Sequence, residues 1–279
     1  MISFGQRLQA SFERYGNLCV GIDPHSWLLR EWGLEDSPAG AREFGLSVVG
    51  AATGRVGVIK PQVAFYERFG APGYSALEDV LAAAREAGLM VIADTKRGDV
   101  GTTMESYGRA WLSPGGTLES DAMTAHPFHG VESLRPVFDF AERNGKGVFV
   151  LCATSNPEAA GAQRAVTPSG LSTAADVARD VSEWNQRNAL AGTGSIGLVI
   201  GATVDARDYG IDLASLRSTP ILAPGFGHQG ARFEELPERY GVAASLVLAN
   251  VSRSVLSAGP EGLAAAIAAQ AEEVAACRA

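Results

Sequence analysis

Two lysines and two aspartates of this chain are spaced so that they could form one charged cluster. Asp94 and Lys96 are two residues apart, which puts their side chains on the same face of an extended segment, and Asp99 follows a glycine that allows a turn. Neighbouring carboxylates favour the ammonium form of Lys96, and an ammonium fixed beside a substrate carbon is a proton donor. Lys60 adds a second cation. The alternative is a solvated group of salt bridges on a loop.

A glycine-rich segment and a distant arginine together predict a phosphate site. Residues 224–230 (PGFGHQG) allow backbone N–H groups to approach an anion closely, and Gln229 can donate a side-chain hydrogen bond. Arg253 can bind a phosphate through two parallel hydrogen bonds. For the segment alone, a turn without a ligand is the alternative. The presence of Arg253 favours phosphate.

Other polar side chains have less specific patterns. Ser155 and Asn156 could hydrogen-bond a planar heterocycle or cap the segment that follows them. His126 and His129 are three residues apart, but Pro127 opposes the helix on which that spacing would bind a metal. We therefore expect a loop or packing role there and no metal site. The two histidines expected at the surface or at the rim of a site are His25 and His228.

Eight short apolar runs predict the strands that position these residues. The runs are continuous rather than alternating, as in strands buried on both faces of a parallel sheet. They cover residues 18–22, 56–59, 89–93, 121–125, 147–152, 196–201, 220–223 and 245–249. Polar residues follow most of these runs directly, so we expect the candidate side chains at strand ends.

Helical patterns separate the apolar runs. Amphipathic spacing predicts helices over residues 74–88, 173–190 and 261–277, and helix stops at Gly88 and at residues 144–145. The long connections, 26–55 and 156–195, are expected to carry extra helices or lid segments. Strands that alternate with helices predict the α/β class, with a single (β/α)8 TIM barrel as one domain over residues 1–279. A doubly wound open sheet is the alternative.

Composition excludes several classes of protein. Hydrophobic residues make up 46% of the 279 residues, which excludes intrinsic disorder. The net charge of −8 disfavours nucleic-acid and anionic-membrane partners. The N-terminus lacks the apolar core of a signal peptide, and no apolar run is long enough to span a membrane. Cys19 and Cys152 lie in apolar runs and predict buried thiols, so we expect a soluble, cytoplasmic protein.

Five segments, taken together and in order, resemble one enzyme family. They are Gly21-Ile-Asp-Pro24, Ile59-Lys60-Pro-Gln62, Asp94-x-Lys96-x-x-Asp99, Pro224-Gly-x-Gly-x-Gln-Gly230 and Arg253-Ser254. This set resembles the orotidine 5′-phosphate decarboxylases. The chain length and residues 96–103 (KRGDVGTT) are similar to their longer bacterial branch, type 2. The resemblance implies decarboxylation of orotidine 5′-phosphate to UMP and CO2 without a cofactor, the last step of de novo pyrimidine nucleotide synthesis.

The resemblance also implies roles for residues around the reacting carbon. Lys96 would protonate the pyrimidine carbon that loses CO2, and Asp94 would lie against the substrate carboxylate. Lys60 would hold the charged network and reach the ribose. Asp23 would bind a ribose hydroxyl. No metal ion and no organic cofactor is implied.

Further residues would bind the two ends of the substrate and join two subunits. Ser155 would contact the pyrimidine, and Gln229 and Arg253 the phosphate. In the family that the chain resembles, the positions of Asp99 and Thr103 enter the site of the neighbouring subunit. The resemblance therefore implies a homodimer.

Two other functions fit parts of the pattern. A sugar-phosphate decarboxylase or aldolase-like synthase of the same barrel group would use Mg²⁺, and such relatives tend to carry Glu at the position of Lys60, where a cation disfavours a metal. A catalytically idle barrel that binds a phosphate ligand is expected to lack one of Asp94, Lys96 or Asp99. All three are present.

Overall fold

The computed structural model describes residues 1–189 and 192–277, in which eight parallel strands close into one barrel in chain order. The strands are β1 (Leu18–Ile22), β2 (Val58–Pro61), β3 (Met90–Arg97), β4 (Ala122–Ala125), β5 (Gly147–Ala153), β6 (Ile196–Ile200), β7 (Ile221–Pro224) and β8 (Val247–Val251). Each predicted apolar run overlaps one of them. The predicted (β/α)8 barrel is confirmed, and the open-sheet alternative is wrong.

Helices connect the strands on the outside of the barrel. They are α1 (Phe4–Tyr15), α2 (Ser26–Glu31), α3 (Pro38–Ala52), α4 (Ala64–Glu67), α5 (Ala71–Glu86), α6 (Gly101–Leu112), α7 (Arg135–Arg143), α8 (Ala160–Gln163), α9 (Thr173–Asn188), α10 (Leu236–Tyr240), α11 (Arg253–Leu256) and α12 (Gly259–Ala276). Shorter 3-10 turns are Val131–Leu134, Pro157–Ala159, Ala206–Tyr209, Leu213–Leu216, Phe233–Glu235 and Gly241–Leu246.

The predicted helices correspond to α5, α9 and α12, and Leu190, the predicted end of the second, lies outside the described residues. The predicted stops are confirmed: Gly88 adopts a φ of 72° just after α5, and Gly145 one of 63° just after α7. Both long connections carry extra helices, α2 and α3 in the first and α8 and α9 in the second.

Three strands continue two or more residues beyond the ends of their predicted apolar runs. β2 extends through Lys60, β3 through Asp94 and Lys96, and β8 through Asn250. Polar side chains interrupt the apolar run, but the backbone ladder with the neighbouring strand continues past them. These side chains therefore project from rigid strands and not from the loops that follow.

Inward-facing side chains of alternate strands fill the barrel in layers of four. The strand registers give a lower layer of Val58, Ala122, Gly197 and Leu248, and above it a layer of Cys19, Ile92, Phe149 and Leu222. The third layer, which we call the floor layer, consists of Lys60, Thr124, Val199 and Asn250. The interior thus changes from apolar to polar toward the C-terminal ends of the strands.

Helix α1 closes the apolar end of the barrel. Its Phe4, Leu8 and Phe12 are buried in one cluster with the two lower layers. The Phe4 ring meets the edge of Phe149 with 6.0 Å between centroids. Ser3 starts the helix by accepting a hydrogen bond from the backbone of Gln6, whose side chain bonds back to Ser3. With this end filled, a ligand has room at the opposite end.

The cysteines and the helices agree with the expectations from composition. Cys19 and Cys152 are buried free thiols, and burial raises the pKa of each to about 12. Within the described ranges, no helix combines the length and the apolar character needed to cross a bilayer.

The tight packing of α1 predicts that a Gly→Ala substitution in this helix lowers the free energy of unfolding. The same substitution at an exposed helical glycine should raise it. A Cβ at Gly5 would collide with the carbonyl oxygen of Thr193, whereas a Cβ at the exposed Gly50 of α3 meets nothing within 4 Å. Gly5→Ala should lower the free energy of unfolding by about 1–3 kcal/mol. Gly50→Ala should raise it by about 0.5–1 kcal/mol through helix propensity. Urea denaturation measures both, and a stabilising Gly5→Ala would contradict the described contact.

Candidate active site

An open cleft lies at the C-terminal end of the barrel. This is the end at which barrel enzymes carry their active sites. Six of the predicted site residues line the cleft: Asp23, Lys60, Asp94, Lys96, Gln229 and Arg253. Three do not line it: Asp99, Thr103 and Ser155.

The carboxylate of Asp94 lies between two lysine side chains. Its Oδ2 accepts hydrogen bonds from Lys60 Nζ at 3.1 Å and from Lys96 Nζ at 2.6 Å. Lys60 and Asp94 are buried, whereas the Lys96 side chain is 46% exposed. Buried charges are stable only when they are paired, so each member of this array depends on the others.

Asp94 and Lys60 are both ionised near neutral pH. Burial alone raises the pKa of Asp94, but the charges of Lys60 and Lys96, with hydrogen bonds from Lys96 and Thr124, lower it to about 2. Burial opposes the charge on Lys60, yet the carboxylates of Asp94 and Asp23 raise the pKa of this lysine above its ordinary value. The cleft therefore holds fixed charges before any ligand binds.

A bulge in β3, and not simple strand alternation, aims Lys96 at Asp94. The register with β4 shifts between Ala93 and Arg97, and Lys96 is the one non-glycine residue in the described ranges with a positive φ, 47°. Thr124 holds the bulge, since its Oγ1 accepts from the Lys96 backbone N–H at 2.9 Å and donates to Asp94 Oδ1 at 2.8 Å. The expectation of a regular extended segment is wrong here. The left-handed backbone costs about 1–3 kcal/mol, and such strain is typical of functional positions.

Other residues without a predicted role also line the cleft, and four of them are polar neighbours of the predicted residues: Gln62, Thr124, Asn250 and Ser252. The Gln62 amide donates to the Asp94 carboxylate and accepts from Lys96 Nζ at 3.1 Å. Ser252 Oγ donates to Asp23 Oδ2 at 2.5 Å. Strand alternation was the available signal, because Gln62 is two residues after Lys60 and Ser252 two after Asn250.

The glycine-rich segment and Arg253 come from neighbouring strands and face the same cleft. Gly225, Gly227 and Gly230 have φ values of 120°, 70° and 94°, so the turn needs glycine at each position. Gly225, Gln229 and Arg253 line the cleft. Arg253 forms no ion pair with any described residue. Its guanidinium is therefore available to an anionic ligand.

Ser155 and Asn156 lie on the exposed connection after β5. Ser155 Oγ donates to Gln229 Oε1 over a long 3.5 Å. Ser155 therefore lies next to Gln229, which lines the cleft. Asn156 accepts from Thr154 Oγ1 at 2.8 Å and donates to Glu158. It precedes the 3-10 turn that begins at residue 157, but its side chain makes no capping hydrogen bond.

Asp99 and Thr103 do not line the cleft of their own chain. Asp99 follows β3, and its Oδ1 accepts from the backbone N–H of Val100 at 2.8 Å. Thr103 is exposed on α6. Val100 and Phe128, on the connections after β3 and β4, are exposed apolar side chains.

The histidines differ in their distance from the cleft. His25 is half-buried in the cleft wall just after β1, where its ring packs against Phe65 with centroids 4.3 Å apart, and this position is compatible with the expected place at the rim of a site. His228 is exposed at the edge of the cleft, as expected. In the described part of the chain, His126 and His129 belong to no group of three or more potential metal ligands.

Comparison with known proteins identifies relatives over the whole fold. The model of the "Orotidine 5′-phosphate decarboxylase / HUMPS family" matches residues 16–268. An orotidine 5′-phosphate decarboxylase of Salinispora arenicola is 47% identical and covers 100% of this chain and 98% of its own. An orotidine 5′-phosphate decarboxylase of Corynebacterium efficiens is 45% identical and covers 93% of this chain and 91% of its own.

Solved structures show the same relationship. A crystal structure from Streptomyces avermitilis is 44% identical, with a TM-score of 0.94 over 99% of this chain and 96% of that one. The OMP decarboxylase of Leishmania donovani is 30% identical, with a TM-score of 0.79 over 99% of each chain. The predicted family and the predicted carboxy-lyase class are confirmed. The chain belongs to the orotidine 5′-phosphate decarboxylase / HUMPS family.

Proposed function

We propose that residues 1–279 form one domain that decarboxylates orotidine 5′-phosphate to UMP and CO2 without a metal ion or an organic cofactor, the last step of de novo pyrimidine nucleotide synthesis. The observation that carries this proposal is the Asp94 carboxylate held between Lys60 and Lys96 at one end of the barrel. The names of the relatives support the substrate. The free buried thiols support a cytoplasmic enzyme.

Lys96 supplies the chemistry in this proposal. The bond between the pyrimidine C6 and the carboxylate breaks, its electron pair stays on C6, and CO2 leaves. The Lys96 ammonium stabilises the developing negative charge and then transfers a proton to C6. The resulting amine regains a proton from solvent. Asp94 lies beside the substrate carboxylate, so loss of CO2 relieves the repulsion between two anions.

The remaining cleft residues bind the rest of the nucleotide. Arg253 and Gln229 take the phosphate, together with the backbone of the glycine-rich turn. Lys60 and Asp23 take the ribose, and Ser155 takes the pyrimidine. Because the phosphate is remote from C6, its binding energy can drive closure over the reacting carbon. Residues 156–163 and 228–235, which flank the cleft, are the proposed lid segments.

We also propose a homodimer in which Asp99 and Thr103 enter the partner's cleft. Neither residue lines the cleft of its own chain, although both follow β3 closely. The exposed Val100 and Phe128 support an interface on this side of the barrel.

The cation at Lys60 argues against a magnesium-dependent sugar-phosphate enzyme. Lys60 is buried next to Asp94, and a divalent cation beside this ammonium would be repelled. An idle phosphate-binding barrel would not need the strained Lys96 backbone.

Substitution of Lys96 tests the assignment of the proton donor. Lys96→Ala should lower turnover of orotidine 5′-phosphate by about 10³-fold or more, as measured by ultraviolet absorbance with EDTA-treated protein. Lys96→Arg keeps the charge but holds its proton too tightly to transfer it, so it should also lack turnover. Lys146→Met, which removes a lysine paired with Glu119 at 2.6 Å outside the cleft, is the control and should retain turnover.

Near-normal turnover by Lys96→Ala would refute the assignment. If the wild-type protein is folded and inactive, the proposed substrate is wrong, and pentose and keto-acid phosphates with Mg²⁺ become the next substrates to test.

The charged array predicts an unusual titration of Asp94. Because folding lowers its pKa from 3.8 to about 2, the ionised carboxylate stabilises the folded chain above the ordinary pKa. This contribution is lost as the pH falls through that interval. The carboxyl carbon resonance of Asp94, assigned by its loss in Asp94→Asn, should stay at its ionised position from pH 7 to about pH 3. A midpoint at or above 3.8 would show that the array does not hold this carboxylate as described.

The proposed dimer predicts complementation between two inactive variants. Lys96→Ala and Asp99→Ala should each lack turnover, because each spoils both sites of its homodimer. When equal amounts are unfolded and refolded together, half of the dimers carry one intact site, so about a quarter of wild-type turnover should return. A mixture of Lys96→Ala with Asp94→Ala is the control, since both changes lie in the same cleft. Absence of recovery in the first mixture would place Asp99 outside the partner's site.

A further inference from the structure

Asn250 is the member of the floor layer that the proposed mechanism leaves without a role. It is 6% exposed and lines the cleft from β8. Lys60 and Thr124, the other polar members of the layer, both hydrogen-bond to Asp94. The Asn250 side chain forms no hydrogen bond within the described residues, and its Oδ1 is buried without a partner.

This position would be filled more favourably by an apolar residue if it served only the fold. Asn250 lies beside Cys19 in the register with β1 and beside Pro224 in that with β7. Leu248, two residues earlier on the same face, is a buried core residue. Burial of an amide oxygen without a donor is unfavourable, and an apolar side chain of similar volume would avoid that cost.

A second buried acceptor without a donor lies on the adjacent strand connection. Asp23 accepts from Ser252 through Oδ2, but its buried Oδ1 has no donor among the residues that the structure describes. Gly21, two residues before Asp23, pairs with Lys60 in the register between β1 and β2. Gly21 has no side chain. No side chain of β1 therefore separates Asn250 on β8 from Lys60 on β2. These two unpaired acceptors on one side of the cleft can each accept a hydrogen bond from an O–H or N–H donor of a ligand.

We propose that Asn250 is a further binding residue, whose Oδ1 accepts a hydrogen bond from a sugar hydroxyl of the bound nucleotide. This inference rests on the proposed function. The phosphate and the ring carbonyls of a pyrimidine nucleotide are acceptors, whereas its sugar hydroxyls are donors. The other donor, the ring N3–H, belongs to the base, which the proposal places near Ser155. Asp23 and Asn250 thus share the ribose side of the cleft.

The Asn250→Leu variant distinguishes a role of Asn250 in ligand binding from a role in folding, and UMP is the ligand used. UMP should bind about 3- to 10-fold more weakly to Asn250→Leu than to the wild-type chain, as measured by calorimetry. The midpoint of urea unfolding should not fall. The matched control is Asn185→Leu, because Asn185 is a buried asparagine that bonds to Ile196 and Thr219. The control should lose stability and keep its affinity for UMP.

Deoxynucleotides identify the group that Asn250 binds. Either 2′-deoxy-UMP or 3′-deoxy-UMP should bind more weakly than UMP to the wild-type chain, and Asn250→Leu should show no further loss with that analogue. Asn250→Ala, which removes the amide without adding bulk, repeats the test if the leucine variant does not fold.

Four outcomes would overturn the inference. Unchanged affinity for UMP in Asn250→Leu, or an equal loss with UMP and both deoxy analogues, would exclude a bond to the sugar. A lower unfolding midpoint with unchanged affinity would make Asn250 a structural residue. If the wild-type chain neither binds UMP nor turns over orotidine 5′-phosphate, the proposed function itself fails, and this inference fails with it.

Discussion

The buried ion pair between Lys60 and Asp94 is the interaction on which the rest of the site depends. Neither charge is tolerable alone at 5% and 7% exposure, and the pair still leaves one carboxylate oxygen and several ammonium protons to satisfy. Thr124, Gln62 and Lys96 supply the missing bonds to Asp94. The need to satisfy this carboxylate therefore fixes the position of the exposed ammonium of Lys96, which is the group that faces a ligand.

The barrel supports this array by separating its two ends. Apolar layers and helix α1 fill the N-terminal end, so the stability of the fold comes mainly from side chains that contact no ligand. The floor layer replaces this packing with polar groups, and the bulge in β3 adds a strained residue. Natural proteins place such locally unfavourable choices at functional sites and compensate for them elsewhere. Here the compensating stability comes from the two apolar layers below the floor layer.

The sequence predicted the eight strands well because strands of a parallel barrel are buried on both faces and leave continuous apolar runs. It predicted the contact between Asp94 and Lys96 for the wrong reason, since a bulge with a left-handed residue cannot be recognised from spacing alone. Polar residues inside strands, such as Thr124 and Asn250, cannot be distinguished by sequence from polar residues that follow a strand. Their position therefore predicts no role for them. The roles proposed for Asp99 and Thr103 need a second chain, which no pattern within one chain reveals.

The hydrogen bonds of the cleft divide it into two parts with different purposes. Around Asp94 every polar side chain of the array has a partner, so these groups are already oriented as the proposed chemistry requires, and no reorganisation is needed when the ligand arrives. On the side of β1 and β8, the described residues offer no donor to one oxygen each of Asp23 and Asn250 and no counter-ion to the guanidinium of Arg253. A folded chain tolerates unpaired groups of this kind where a ligand completes them. In the proposed mechanism, the completed part of the cleft is the reacting part, and the incomplete part binds sugar and phosphate.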